Sequence, residues 1–332
     1  MIITRTPFRI SFFGGGTDYP AWYREHGGAV VSTAIDKYCY ITCRYLPPFF
    51  DHRSRILYSK VETVDSNSRI EHPAVRGILA HLGIEDGVEI HHDGDLPAQT
   101  GLGSSSAFAV GLLHALYALT NKMTTKMDLA KQAIYIEQEV LKEYVGCQDQ
   151  VITAIGGLQR IDFFPTGDIQ ATPVPIGQDR IDTLQSHLLL YFTGFSRIGS
   201  LIIREQLERM REKIRELSRL RVMVDESLRI LTSKGSLDDF GRLLDESWSL
   251  KRGLSSKVSS PAIDDIYETA KSAGALGGKL LGAGGGGFMV LFAPPERHAC
   301  IQKKLGNLLR IPFRFERDGS HIILYQPNSV PA

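Results

Sequence analysis

The first half of the chain contains short segments in which apolar and polar positions alternate or β-branched residues cluster. Both patterns are typical of strands, and four segments before residue 95 show them: FRISFF, GGAVVSTAI, KYCYITCRYL and GVEIHHD. The pattern changes at SSSAFAVGLLHALYALTN, which has enough continuous apolar positions for a buried helix and serines suited to cap it. A second helix is predicted over KMDLAKQAIYIEQEVLKEY, and the turn VGCQDQ leads into a further helix-like run.

The second half follows FPTGDIQATPVPIGQD, a segment with several Pro and Gly residues between the strand patterns RIDFF and LLLYFTGFS. Such a segment predicts a domain junction. An amphipathic run from Ser200 then has apolar residues at spacings of four and three: Ile203, Leu207, Met210, Ile214 and Leu217. This spacing predicts a helix packed onto a sheet, with a coiled coil as the alternative. The strand pattern GFMVLFAPP, a helix from about Pro295 and the strand patterns PFRFERD and HIILYQP come after it.

Strands and helices thus mix in both halves without regular βαβ units, which predicts an α+β fold. A length of 332 residues suggests about two domains, and the junction puts them at residues 1–175 and 176–332.

The composition and net charge of the chain argue against several classes of function. With Lys+Arg 38 against Asp+Glu 37, the formal charge is +1, so no overall field attracts nucleic acid or an acidic membrane. An anionic ligand therefore has to be bound by local geometry. The segment MIITRTPFRI lacks the apolar core of a signal peptide, and no run approaches the roughly 18 apolar residues of a membrane span. We expect a cytoplasmic protein that binds neither membranes nor nucleic acid.

Four cysteines and a histidine pair were considered as metal or disulfide sites. The cysteines, at positions 39, 43, 147 and 300, form neither a zinc spacing nor a dense disulfide framework. Cys39 and Cys43 share one face of a strand pattern, and we interpret them as buried thiols in a reducing compartment. His91 and His92 point to opposite faces of a strand, so a shared metal ion is not expected.

The stretch GDLPAQTGLGSSSAFAVGLLHAL, residues 94–116, places a loop of glycines and serines directly before a helix. The free amides and positive dipole of a helix N-terminus, together with serine hydroxyls, make an anion site, most often for phosphate. The alternative is a flexible linker. A linker is normally flanked by polar sequence, whereas this loop is followed by a strongly apolar helix, so phosphate binding is favoured.

Two glycine-rich strings resemble nucleotide motifs only superficially. GALGGKLL has its glycines too close together for a Walker A loop and has leucine in place of the magnesium-binding hydroxyl. GAGGGG matches a dinucleotide fingerprint in letters, but that fingerprint opens a helix, and the following FMVLFAPP is a strand pattern. The glycines either line a ligand site or pack closely on another backbone.

Two further features suggest ligand contact. Gly14, Gly15 and Gly16 follow a strand and precede Asp18, and glycine allows a backbone to lie directly against a ligand. Asp149 stands between two amides after a glycine, where an exposed helix cap is the alternative reading.

Three motifs, PFRISFFGGGTDYP, LPAQTGLGSSSA and KLLGAGGGGF, together resemble the signature motifs of the GHMP kinases. The family is named for galactokinase, homoserine kinase, mevalonate kinase and phosphomevalonate kinase. RISFFGGGTDYP, VGCQDQVITAIGG, YFTGFSR and GGKLLGAGGGGF resemble its sugar-1-kinase branch. The resemblance implies an N-terminal half like the second domain of ribosomal protein S5 and a ferredoxin-like C-terminal half, with ATP and sugar in the cleft between them.

The resemblance also implies an activity, which is ATP-dependent phosphorylation of the anomeric hydroxyl of a sugar phosphate. The expected substrate is D-glycero-D-manno-heptose 7-phosphate, which would give the 1,7-bisphosphate on the way to a nucleotide-activated heptose. The alternatives are a fucose- or galactose-like sugar, a non-catalytic sugar- and ATP-binding regulator on the same scaffold, and an unrelated nucleotide-binding oxidoreductase.

The resemblance carries roles for ATP and Mg²⁺ onto the second motif and a nearby helix. Contacts to the ATP phosphates are implied for Gly101, Leu102, Gly103, Ser104, Ser105, Ser106 and Ala107. Ser105 and Glu137 match the magnesium ligands. For Glu137 a solvated helical glutamate is the alternative reading, and Glu139 is close enough for a shifted match.

The resemblance carries catalysis onto Asp149, which would orient the attacking hydroxyl and accept its proton. Arg9 matches an arginine that keeps this carboxylate ionised and stabilises charge on the moving phosphoryl group. Substrate contacts are implied for Gly15, Gly16, Thr17, Asp18, Gly284, Gly285 and, for the substrate's own phosphate, Arg197. Galactokinases have Gly-Glu-His where this chain has its three glycines, so we expect more room beside the sugar here.

Overall fold

The structure, a computed structural model, describes residues 1–98, 100–194 and 199–327. In these ranges the strands, numbered along the chain, are β1 (Ile2–Phe13), β2 (Gly28–Tyr45), β3 (Ser54–Leu57), β4 (Val61–Val64), β5 (Val88–Gly94), β6 (Leu158–Phe163), β7 (Ile169–Pro173), β8 (Leu188–Phe192), β9 (Gly277–Leu280), β10 (Phe288–Phe292), β11 (Leu309–Arg310), β12 (Phe315–Glu316) and β13 (His321–Tyr325). The α-helices are α1 (Pro20–His26), α2 (Pro73–Leu82), α3 (Ser104–Leu119), α4 (Lys126–Tyr135), α5 (Gln148–Ile155), α6 (Gln178–Ser186), α7 (Gly199–Glu208), α8 (Ile214–Thr232), α9 (Asp238–Arg252), α10 (Pro261–Ser272) and α11 (His298–Lys304).

The strands form two sheets. The larger has the order β13-β1-β2-β5-β3-β4, and β6 and β12 also pair with β2, while β7 pairs with β6. The smaller sheet has the order β11-β8-β10-β9 and is antiparallel. This mixture of helices and sheets confirms the predicted α+β fold. Among the described helices, none has the length and apolar character needed to cross a membrane.

The apolar pattern of α3 is explained by its position against the inner face of the larger sheet, where it contacts β1 and β2. Gly111 allows the close approach, because a Cβ there would stand 2.9 Å from Thr6 Oγ1. At the start of α3 the backbone N–H of Arg9 donates to the Leu102 carbonyl at 3.0 Å. The helix N-terminus is therefore fixed beside the middle of β1.

Several predicted elements have different boundaries in the structure. GGAVVSTAI and KYCYITCRYL are one continuous strand, β2, and its pairing with β1 shifts register between Pro7 and Phe8. That shift accommodates the polar Asp36 and Lys37 within the strand. The predicted junction segment contains β7, which completes a hairpin with β6 in the larger sheet.

The helix predicted over residues 126–144 ends early, because α4 passes into a π-helical turn at Ile136–Val140. The amphipathic run from Ser200 is divided by a 3-10 turn at Met210–Lys213 into α7 and α8. The prediction of packing onto a sheet is confirmed, because α8 lies against β1, β2 and α9.

Candidate active site

The site is built around an ion pair between β1 and α5. Arg9 is 4% exposed, and its Nε and Nη2 donate to the two carboxylate oxygens of Asp149 at 2.7 and 2.5 Å. Its remaining nitrogen, Nη1, donates to the Gly101 carbonyl at 2.6 Å. Bidentate pairs of this kind fix orientation as well as charge. Asp149 lies in the first turn of α5, and the exposed-cap reading of it was wrong.

The second carboxylate of the site belongs to Asp18, which is 1% exposed. Its oxygens accept from the backbone N–H groups of Gly16 at 3.1 Å and Gln148 at 3.3 Å. Burial raises the pKa of Asp18, and the negative charge of Asp149 raises it further. A Cβ at Gly146 would stand 2.0 Å from an Asp18 oxygen, which explains the glycine before Cys147.

Thr17 is fully buried and its hydroxyl contacts the backbone of its own turn. The Oγ1 atom donates to the carbonyls of Gly14 at 2.8 Å and Ala29 at 3.0 Å, and it accepts from the Ala29 N–H at 3.2 Å. These contacts hold the turn that carries Asp18. The Thr17 side chain therefore stabilises this turn, and its hydroxyl is engaged by backbone groups.

The three glycines after β1 have different surroundings. Gly14 has φ +82°, and a Cβ there would stand 1.9 Å from the Ala29 carbonyl oxygen. Gly16 has φ +100°, and its Cβ would stand 3.1 Å from Leu217. Gly15 has an ordinary φ, and its Cβ would be 3.8 Å or more from any other side chain or backbone atom. Only Gly15 lies at the site without a backbone reason to be glycine.

The loop before α3 is packed and ordered by its neighbours, which argues against a flexible linker. Gly103, with φ 77°, is the N-cap of α3, and no side chain caps the helix. The prediction that serines cap it was wrong, because Gly103 occupies the cap position close to Arg9. A Cβ at Gly103 would stand 3.1 Å from Arg9 Cγ. The N-terminus of this 16-residue helix has the positive dipole end that suits an anion.

Glu137 is fully buried and lies beneath this helix start. Its carboxylate accepts from the hydroxyls of Ser105 at 2.8 Å and Ser106 at 2.9 Å and from the Gln150 amide at 2.5 Å. Burial raises its pKa to about 7, although the three hydrogen bonds lower it. The π-helical turn places it here, whereas Glu139 is exposed and pairs with Lys142. The solvated-glutamate reading of Glu137 was therefore wrong.

The glycine loop between β9 and β10 packs tightly on the loop before α3. A Cβ at Gly282 would stand 2.5 Å from Gly101 Cα, and one at Gly287 would stand 2.2 Å from the Thr100 carbonyl oxygen. Both residues have positive φ. The close-packing alternative thus applies to these glycines, and β10 directly after them excludes a dinucleotide fingerprint.

Gly284 and Gly285 lie against Val258 in the same loop. The Gly285 N–H donates to the Val258 carbonyl at 2.8 Å, and a Cβ at Gly284 would stand 2.7 Å from that oxygen. Gly284 lines the cavity that also contains Ser104–Ser106. The structure therefore places Gly284 with the predicted phosphate loop and away from Asp18.

Two cavities meet at the Arg9–Asp149 pair. One, of about 560 Å³, is lined by the loop before α3 and by the glycine loop, and we call it the donor cavity. The other, of about 110 Å³, is lined by Gly15, Gly16 and Asp18, and we call it the acceptor cavity. Arg9, Ser106, Asp149 and Gly282 line both. Ligands in the two cavities would be in contact at Asp149.

Sequence reasoning missed several polar residues that line the acceptor cavity, among them Ser11, Gln148, Lys251 and Lys279. Ser11 donates to the Gln148 side-chain oxygen at 2.6 Å, beside Gly15. A signal for Lys279 exists in the sequence, since it is a lysine within the apolar string GGKLL. Lys251 lies in the string SLKRGL, beside a second basic residue. A string of this kind is typical of a solvent-exposed helix end, so the sequence does not indicate that Lys251 lines a cavity.

Arg197 lies outside the described residues. Cys39, Cys43 and Cys147 are buried free thiols and Cys300 is exposed.

The histidine pair divides between the two faces of β5. His91 Nε2 is 3.2 Å from Glu89, whereas the His92 ring packs edge-on against Phe108. The expected opposite orientation is confirmed.

Comparison with known proteins supports a kinase. Residues 69–157 match the profile of the GHMP kinases N terminal domain, and residues 202–307 match that of the GHMP kinases C terminal domain. D-glycero-alpha-D-manno-heptose 7-phosphate kinase of Campylobacter jejuni is 26% identical over 318 residues, covering 92% of this chain and 93% of that protein. Galactokinase of Pyrococcus furiosus is 26% identical over 337 residues, covering 90% of this chain and 91% of that protein.

A solved structure shows the same fold over almost the full length. The crystal structure of a D-glycero-D-manno-heptose 1-phosphate kinase from Bacteroides thetaiotaomicron superimposes with a TM-score of 0.81 at 23% identity. The match covers 99% of this chain and 100% of that one.

Proposed function

The chain belongs to the GHMP kinases and is a sugar kinase of that family, and from this premise we propose that it phosphorylates the anomeric hydroxyl of D-glycero-D-manno-heptose 7-phosphate. ATP is the phosphate donor, and the product is the 1,7-bisphosphate. The observation that carries the proposal is the meeting of the donor and acceptor cavities at Asp149 and Arg9. Phosphoryl transfer requires donor and acceptor oxygens in line at one point.

In this proposal the ATP phosphates bind the first amides of α3 in the donor cavity. Gly101 and Gly103 line this cavity with positive φ, and their missing side chains let the loop pack closely on Leu281 and Arg9, which holds the start of α3 at the cavity wall. The heptose lies in the acceptor cavity, where Asp18 accepts hydrogen bonds from its hydroxyls.

Asp149 acts as the general base in this arrangement. It orients the anomeric hydroxyl and takes its proton as the oxygen attacks the γ-phosphorus, while the bond from that phosphorus to the β–γ bridging oxygen breaks and ADP leaves with the bridging oxygen. Arg9 holds Asp149 through both carboxylate oxygens and adds a positive charge beside the phosphoryl group in transit, which electrostatic stabilisation requires.

The residues beneath α3 fit the magnesium ion that accompanies ATP. Ser105 and Glu137 supply oxygens within 2.8 Å of each other, and the Gln150 side-chain oxygen is buried without a hydrogen-bond partner among the described residues. A hard cation prefers such an all-oxygen set. When bound, magnesium would neutralise charge on the β- and γ-phosphate oxygens.

The direct test is an ADP-release assay with ATP-Mg²⁺ and a panel of hexoses, heptoses and their phosphates. We expect the highest kcat/KM for heptose 7-phosphate. A higher kcat/KM for fucose or galactose would replace the substrate in the proposal. Binding of ATP and sugar without ADP release would favour a regulator.

Gly15 provides a test of the acceptor cavity. Changing Gly15→Glu introduces the residue type that galactokinases have there, and we expect KM for the sugar phosphate to rise roughly tenfold or more, because like charges placed together cost several kcal/mol. ATP affinity should stay unchanged, because Gly15 does not line the donor cavity. Gly16 is unsuitable for this test, since its φ of +100° strains any side chain.

Two matched variants control the Gly15 experiment. Gly15→Ala adds a Cβ with ordinary contacts, and Gly177→Glu adds the same glutamate at a site with no atom within 4 Å of the new Cβ. Both should keep the parent KM. An unchanged KM in Gly15→Glu would place the sugar elsewhere.

A further inference from the structure

Two lysines, the buried Lys279 and the partly buried Lys251, line the acceptor cavity without a carboxylate partner within the described part of the chain. Lys279 Nζ donates to the Phe12 carbonyl at 2.9 Å, and Lys251 Nζ donates to the carbonyls of Leu280 at 2.9 Å and Gly282 at 2.5 Å. An ammonium group has three N–H donors. Lys279 therefore keeps two donors for another acceptor, and Lys251 keeps one.

The charges around this cavity do not balance. Arg9, Lys251 and Lys279 line it, against Asp18 and Asp149. Asp149 is already engaged on both oxygens by Arg9, which leaves Asp18 as the single carboxylate for two ammonium groups. A buried charge without a partner is strongly unfavourable, so the cavity as it stands is suited to receive an anion.

The electrostatics of the two lysines agree with this geometry. Burial, and after it the positive charge of Arg9, lowers the pKa of Lys279 to about 7. Burial also lowers the pKa of Lys251, and the next cause is repulsion by Lys279. An anion between the two groups would relieve that repulsion.

We propose that Lys251 and Lys279 form a binding site for phosphate oxygens in the acceptor cavity. The assignment of a source to that phosphate rests on the proposed function. One source is the phosphate group of the sugar phosphate substrate, and the other is the phosphoryl group in transit from ATP. In either case the two ammonium groups donate to the oxygens in addition to their backbone carbonyls. The role differs from that of Lys271, which donates to the Leu276 carbonyl and pairs with Asp245 away from the cavity.

Binding of inorganic phosphate without nucleotide tests the site independently of any kinase activity. Calorimetry on the parent, Lys251→Met, Lys279→Met and the control Lys271→Met should show affinity reduced roughly 10- to 100-fold in the first two, since charge-assisted hydrogen bonds are lost. The Lys271→Met control should match the parent. Parent-like phosphate binding in both cavity variants would overturn the proposal, because the phosphate would then be bound elsewhere, for example at the start of α3.

Steady-state kinetics then identifies the source of the phosphate. If the site holds the substrate's own phosphate, Lys251→Met and Lys279→Met should raise KM for the sugar phosphate roughly 10- to 100-fold and leave the unphosphorylated sugar unaffected. If it holds the phosphoryl group in transit, kcat should fall by a similar factor on both sugars. Unchanged kcat and KM on both sugars in folded variants would contradict either source. Failure of the parent to phosphorylate any sugar would instead remove the proposed function and leave the phosphate-binding result standing.

Discussion

Replacing Asp149 by asparagine should lower turnover roughly 10²- to 10⁴-fold, the usual contribution of a positioned general base, while ATP-Mg²⁺ binding stays close to that of the parent. An amide has nearly the shape of the carboxylate but cannot take a proton from the anomeric hydroxyl. The measurement is kcat at saturating ATP and sugar phosphate, with nucleotide affinity determined separately by calorimetry.

The structure shows why this variant needs a stability control. Asp149→Asn also breaks a bidentate pair and leaves Arg9, which is 4% exposed, facing an amide. Asp162→Asn is the matched control, because Arg160 donates to both oxygens of Asp162 at 2.7 and 2.8 Å and neither residue lines the two cavities. Both variants should lose stability, and only Asp149→Asn should lose turnover. Similar kcat values in the two variants would remove Asp149 from catalysis.

Replacing Glu137 by glutamine should lower magnesium-dependent turnover by at least roughly 10- to 100-fold, the range seen even when groups that merely support metal ligands are removed. Without magnesium the same change should stabilise the protein at pH 8. Burial raises the pKa of Glu137 to about 7, so the folded state binds a proton more tightly than the unfolded state. The stability that protonated Glu137 contributes is fully present below the ordinary glutamate pKa, and it is lost as pH rises through about 7.

At pH 8 the ionised carboxylate is therefore destabilising, and we expect Glu137→Gln to raise the free energy of unfolding by roughly 1–3 kcal/mol. The new amide can donate to the Gln150 side-chain oxygen, which has no partner in the described structure. Near pH 5 the two proteins should differ little. Chemical denaturation at both pH values, without divalent ions, measures the difference.

Glu62→Gln is a control for which we expect the opposite change in the free energy of unfolding at pH 8. Burial would raise the pKa of Glu62, but hydrogen bonds from Tyr58, Glu71 and His72 lower it overall. The ionised Glu62 thus stabilises the fold at neutral and alkaline pH, and its glutamine variant should be less stable at pH 8 with unchanged turnover. Loss of stability at pH 8 in Glu137→Gln would show that the buried carboxylate is ionised and well paired before magnesium binds.

Local sequence patterns predicted much of the fold, because the type of a helix or strand is set largely by residues that are neighbours in the sequence. The continuous apolar run of α3 and the alternation in β1 and β5 led to the correct elements. The ends of helices were less predictable. The π-helical turn after Tyr135 places Glu137 against the Ser105 and Ser106 hydroxyls, a contact between residues far apart in sequence that local patterns do not show.

The candidate site was likewise predictable only where its residues belong to local motifs. Arg9, Asp18, Glu137 and Asp149 were found through motifs. The structure places Arg9, Asp18 and Asp149 around the two cavities and Glu137 beneath Ser105 and Ser106. Lys251 was not found, because its place at the acceptor cavity depends on the packing of α9 against β9. Likewise, whether a glycine serves a ligand or a packed backbone depends on what lies opposite, as Gly282 against Gly101 shows.

The place of β1 between β2 and β13 has a consequence for how the protein is made. Its partner β2 follows it closely in the chain, after α1, but residues 321–325 of β13 leave the ribosome roughly 300 residues after β1, about 15–60 s later at ordinary translation rates. During that interval β1 is an edge strand with unpaired backbone groups, the kind of surface on which chains aggregate. Cells would therefore need to shield residues 2–5 of β1, the part that pairs with β13, during synthesis, and a chain interrupted before β13 should depend on chaperones to stay in solution.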